Sequence, residues 1–141
     1  MQRLLDLLKE KNTSNEIPIV AMIVKNGEVI STACNQKETL NDVTAHAEIL
    51  AIREAEKKLS NWRLEDCELY VNLEPCPMCA CAIINSRIKA VYFGSYDKLY
   101  GALGSTIDLR KIFNSKLKVY GGIMEAECDK ILEDYFKNLR R

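Results

Sequence analysis

The chain has 141 residues, with 20 Lys+Arg against 20 Asp+Glu and no formal net charge. At 48% hydrophobic and 28% charged residues it has the composition of a folded globular chain, which excludes intrinsic disorder. No apolar run reaches the ~20 residues of a membrane helix, and the charge balance lends no support to a nucleic-acid partner. One domain spanning residues 1–141 is the simplest organisation for this length.

The opening residues, Met1 to Glu16, place Leu4, Leu5, Leu7 and Leu8 at helical spacing. Asp6, Lys9, Glu10 and Lys11 interrupt them, so the segment reads as an amphipathic helix and not as a signal peptide. A soluble cytoplasmic protein is the expectation. Residues 17–24 form a strand-like run, Asn26-Gly27 is a hairpin signal, and residues 29–33 return as a second strand. A polar loop over 36–43 leads into a helix predicted over 44–59, with Ile49, Leu50, Ile52 and Ala55 apolar. A third strand covers 67–73. Pro77 suits the first turn of a helix running to about Ser86. A fourth strand over 88–94, a glycine-containing loop over 95–105, a short helix, a short strand near 117–120 and a helix from about Glu125 complete the chain. The order α-β-β-α-β-α-β-α-β-α implies a mixed sheet covered by helices on both faces.

The six cysteines are Cys34, Cys67, Cys76, Cys79, Cys81 and Cys128, and three of them fall within six residues. In a reducing compartment such a cluster points to a metal and not to disulfides. Two segments carry the candidate chemistry: Thr44-Ala45-His46-Ala47-Glu48 and Pro75-Cys76-Pro77-Met78-Cys79. One imidazole and two thiolates suit zinc and leave a fourth position open, as catalytic sites do. His46 is the only histidine in the chain. Cys76 and Cys79, three apart on a helical turn, can reach one ion, and a helix N-terminus favours thiolate. Cys81 is two residues further on and points away from that side of a regular helix. Glu48, beside His46, is placed to take a proton from water and return it to a leaving group. His-x-Glu paired with Pro-Cys-x-x-Cys is the signature of zinc-dependent base deaminases.

Further stretches narrow the resemblance. They are Asp42 to Ile49, Asn61-Trp62-Arg63-Leu64, Leu69 to Cys76, Ser86-Arg87-Ile88, Gly94, Asp97, Gly101-Ala102-Leu103-Gly104-Ser105, Asp108, and Glu133-Asp134-Tyr135-Phe136 with Arg140-Arg141. On these residues the chain resembles the bacterial tRNA-specific adenosine deaminases from about Glu16 to its end. The resemblance implies a cytidine deaminase-like, three-layer α/β/α sandwich with a mixed five-stranded sheet and one zinc ion per subunit. It also implies a homodimer that converts the wobble adenosine (position 34) of an arginine tRNA, tRNA-Arg(ACG), to inosine. It assigns Asn35 to the flipped base and Ile17, Pro18, Ile19 and Leu73 to its pocket, and it places Asp97 and Phe136 near the flanking nucleotides. The chain departs from the family at Val20 and Cys81, where glycine is common, and at Ser115, where histidine is common. A free-base or nucleoside deaminase acting on guanine or cytosine remains open on the same fold. So does a non-catalytic zinc module, which would need a fourth protein ligand.

From Arg110 to Arg141 there are eight Lys/Arg against five Asp/Glu. This is a weakly basic end, compatible with phosphate contact or with cations favoured at a helix C-terminus.

Overall fold

The computed structural model describes residues 1–13 and 15–139. In chain order the elements are α1 (Gln2–Lys11), β1 (Val20–Lys25), β2 (Glu28–Cys34), α2 (Ala47–Leu59), β3 (Cys67–Leu73), α3 (Pro77–Asn85), β4 (Ala90–Ser95), α4 (Leu109–Ile112), β5 (Lys118–Tyr120) and α5 (Glu125–Leu139). The strands form one mixed sheet in the order β2-β1-β3-β4-β5. β1 runs antiparallel to β2 and β3, whereas β3, β4 and β5 are parallel.

The Asn26-Gly27 turn closes the first hairpin with both residues at positive φ, 51° and 78°, and brings Lys25 opposite Glu28. Two left-handed residues give the turn whose twist matches the strands it joins.

Alternation along the strands divides the core into two layers. Ala21, Ile23, Leu69, Val71, Val91 and Phe93 face α2, α3 and Leu109. Val20, Met22 and Tyr70 face the other way, against Leu4 and Leu8 of α1 and Ile131 of α5. Leu5 is buried as well, while Leu7 is half-buried. α5 lies so close to β4 that a Cβ on Gly94 would strike Cys128 Sγ.

Three elements start later than the sequence reading by two or three residues. The first strand begins at Val20 and not at Ile17. Pro18 has no N–H for a ladder, and the Ile19 amide bonds back to the Ile17 carbonyl at 2.8 Å. The second helix begins at Ala47 and not at Thr44. Asp42 Oδ1 accepts from the Thr44 amide (2.8 Å) and hydroxyl (2.7 Å), which holds the approach as an Asx turn. The fourth strand begins at Ala90 and not at Ile88, and it ends at Ser95.

Candidate active site

The metal-ligand candidates sit at two helix starts. His46 is the N-cap of α2 and Cys76 the N-cap of α3, both with extended backbone and neither forming a side-chain cap bond. Their side chains are thereby free of capping duty and turned toward each other. Cys79 lies in the first turn of α3, which opens with Pro77. His46 Nδ1 is 3.6 Å from Cys76 Sγ and 3.4 Å from Cys79 Sγ. One ligand atom from each of the three residues falls within 4.8 Å of the other two.

This donor set fits zinc. It comprises one imidazole nitrogen and two sulfurs, close enough to share an ion, with three protein ligands and room for a fourth from solvent or substrate. Cys81 lies outside the cluster and packs against the core, so no second thiol of α3 completes a closed structural site.

Glu48, in the first turn of α2, is only 4% exposed. Burial pushes its carboxyl up to about 7, against the opposing pull of its own backbone amide and of His46. A buried carboxyl that titrates near neutrality can hold and release a proton at physiological pH. The Cys76 thiol is pushed down to about 4, chiefly by the hydrogen bond from Cys79, with His46 helping against burial. The same bond and burial push Cys79 up, and the bond to Cys76 raises His46. The pair thus favours one thiolate before any cation arrives, and loading a metal releases the remaining thiol proton.

The expected pocket residues gather at the same end of the sheet. Asn35 follows β2, is 6% exposed, and donates its amide to Ile19 O at 3.0 Å. Its Oδ1 is buried without a hydrogen-bond partner among the described residues. The next amide, that of Gln36, bonds Ala45 O at 2.9 Å, which ties Asn35 to the residue before His46. Pro18 is buried, Ile17 and Ile19 are half-buried, and Leu73 is half-buried at the end of β3.

Phe136, 44% exposed, lines a groove of about 550 Å³ with Ser95, Tyr96, Asp129, Leu132, Glu133 and Lys137. Asp97 is not among the lining residues. Its Oδ1 accepts from the Leu99 and Tyr100 amides, each at 3.0 Å, and so shapes the loop. Arg140 and Arg141 lie outside the described residues.

Two site-supporting residues escaped the sequence reading. Asn72 is fully buried, accepting from the Val20 amide (2.9 Å) and donating to Pro18 O (2.8 Å), so it fixes the turn ahead of β1. Glu74 is buried just before Pro75. The available signal was two polar residues in an otherwise apolar stretch, since a buried polar group implies specific partners.

The profile of the cytidine and deoxycytidylate deaminase zinc-binding region matches residues 1–95. The tRNA-specific adenosine deaminase of Bacillus subtilis is 44% identical over 135 residues, covering 94% of this chain and 84% of that protein. A solved structure from work on A-to-I editing by tRNA:A34 deaminases at the wobble position superposes with a TM-score of 0.87 at 38% identity, covering 94% of this chain and all of the other. The guanine deaminase of Nitrosomonas europaea superposes with a TM-score of 0.81 at 21% identity, covering 95% of this chain and 81% of the other, a likeness of fold alone. The chain therefore belongs to the zinc-binding cytidine and deoxycytidylate deaminase family and, within it, to the group of the tRNA-specific adenosine deaminases.

Proposed function

We propose that this protein, as one deaminase domain over residues 1–141, hydrolyses the wobble adenosine (position 34) of a tRNA to inosine and releases ammonia. A buried Glu48 carboxyl beside the His46, Cys76 and Cys79 cluster carries this reading. The three residues would hold the zinc. When bound, the ion lowers the pKa of a coordinated water to about 7 and makes a nucleophile available at neutral pH.

The protein side of the chemistry is proton handling. Glu48 takes a proton from the attacking water as the new C–O bond forms at C6 of the adenine ring. It delivers that proton to ring N1 and then carries the second water proton to the exocyclic amine. The C6–N6 bond breaks, ammonia departs, and the ring is left as hypoxanthine. Glu48 is suited to both roles because burial holds its carboxyl near 7.

Asn35 bonds the flipped base through its unpartnered buried Oδ1. Ile17, Pro18, Ile19 and Leu73 flank the base, while Phe136 and the loop shaped by Asp97 meet the neighbouring nucleotides. An anticodon loop suits such a site because its bases can be splayed out at modest cost. An arginine tRNA with an ACG anticodon is the substrate implied by the family. The same reading includes a homodimer and a cytoplasmic location. Leu99, Tyr100, Ile112 and Phe113 are exposed, the kind of surface a second copy covers. No helix among the described residues is long and apolar enough to cross a membrane.

The test offers the zinc-loaded protein an anticodon stem-loop, free adenosine, guanine and cytosine, and reads A-to-I change and ammonia release. Conversion confined to the stem-loop is the expected result. Preference for a free base overturns the reading.

A further inference from the structure

A buried carboxylate stands where the metal-ligand turn meets the loop after β4. Glu74, 2% exposed, lies between the end of β3 and Pro75-Cys76. Burying a carboxylate is costly unless its oxygens are filled. Here Oε1 accepts from the Asp97 amide at 3.2 Å and from the Ser105 hydroxyl. Oε2 accepts from the Leu103 and Ser105 amides, both at 3.1 Å. All four donors come from one loop, residues 97–105. Among the described residues no lysine or arginine forms an ion pair with Glu74, so amide and hydroxyl dipoles alone offset the charge.

The main chain runs the same way. The Glu74 amide bonds Ser95 O at 2.9 Å, and the Ala102 amide bonds Pro75 O at 2.9 Å. Gly101 allows this close approach, because a Cβ there would strike both the Glu74 carboxyl and Asp97 O. The loop is therefore wrapped around one side chain that sits two residues from Cys76. Tyr96, the residue immediately ahead of this loop, lines the groove with Phe136.

We infer that Glu74 is a positioning residue for substrate binding: its carboxylate templates the 97–105 loop and holds the rim of the groove in register with the metal-ligand turn. This rests on the reading of the groove as the seat of the RNA loop. Glu74 is not one of the residues of the metal cluster, and its carboxylate bonds go to the loop. Its effect reaches the reaction through the loop, and so it falls on substrate binding before it falls on the chemical step.

Two variants test it. Glu74→Gln keeps the size but sets an NH2 group against amide donors. Ser105→Ala keeps the carboxylate and removes one hydroxyl donor, so it remains informative if the first variant folds poorly. Zinc content, amide hydrogen exchange, and KM and kcat on an anticodon stem-loop are measured for both and for the double variant. In Glu74→Gln the expected result is one zinc per chain, with exchange at Asp97, Leu103 and Ser105 faster by about tenfold or more and β3 and β4 unchanged. KM rises about tenfold while kcat stays within about threefold, as for the loss of one charge-assisted hydrogen bond. Ser105→Ala shows the same pattern at about threefold in KM, and the double variant is no worse than Glu74→Gln alone.

Unchanged exchange at the three amides, loss of zinc, or a fall in kcat with KM unchanged overturns the proposal. If the wild-type protein ignores the stem-loop altogether, the RNA reading fails separately. The exchange data then still decide whether the carboxylate orders the loop.

Discussion

The metal-ligand cluster and the adjoining groove are built in opposite ways. The cluster comes from two short segments, each fixed by its own helix start, with His46 and Cys76 serving as N-caps and their ligand atoms within 4.8 Å. The groove is about 550 Å³ of open surface between the end of β4 and α5, whose residues lie some forty positions apart in the chain. The cluster is compact, with room for a fourth ligand, and its surroundings push the Glu48 carboxyl up and the Cys76 thiol down. The groove offers stacking area and hydrogen-bonding edges. Substitutions in the first should change the chemistry or the metal, and those in the second should change substrate affinity.

The sharpest way to break this division is Glu48→Gln. The amide preserves the shape of the first turn of α2 but cannot cycle a proton. The expected outcome is a fall in kcat of about a thousandfold or more with zinc content and melting temperature retained, read by inosine formation and metal analysis. A variant that stays active would move the proton shuttle elsewhere.

Phe136→Ala tests the other half. The ring is partly exposed and rests edge-on against Tyr135 at 5.3 Å between centroids. Its loss should raise KM for a stem-loop by about five- to tenfold, the lower end of a base–aromatic stack, with kcat within about twofold. A change in kcat with KM unaltered would place Phe136 with the chemistry.

The smallest effect concerns the loop leading to His46. The buried Glu16 carboxylate accepts from the Glu38 amide (3.1 Å), the Thr39 amide (2.7 Å) and the Thr39 hydroxyl (2.6 Å). Burial opposes ionisation, but the Thr39 and Glu38 bonds together outweigh it and hold the carboxyl below its ordinary 4.5. A carboxyl depressed in the folded state stabilises the protein fully above that ordinary value and loses its contribution as pH falls through the folded-state pKa. Glu16→Gln should therefore cost about 1–2 kcal/mol near pH 7. The gap from wild type should shrink below about pH 4.5, as measured by denaturant melts across pH. A gap that widens on acidification would contradict the assignment.

Much of the site was legible because its spacings are local. His46 and Glu48 are two apart, Cys76 and Cys79 three apart, and a helix start brings each pair to one side. The Asn26-Gly27 turn and Pro77 at the head of α3 were legible for the same reason, since each sets its own backbone angles. The strand run at Ile17 was misread because apolar character says nothing about the hydrogen bonds that Pro18 forfeits. Thr44 was misread as helical because the Asx turn at Asp42 competes with the helix.

The sequence by itself pointed to the candidate ligands and the candidate proton shuttle and determined the order of elements and the family resemblance, because these depend on residue chemistry at short range. Only the tertiary structure decided that Asp97 spends its carboxylate on its own loop and that Asn72 and Glu74 brace the two sides of the site. Those roles depend on which donors a buried side chain meets across the sheet. Asn72 reaches Pro18 over 54 positions and Glu74 reaches Leu103 over 29, distances at which sequence pattern carries no hydrogen-bond information.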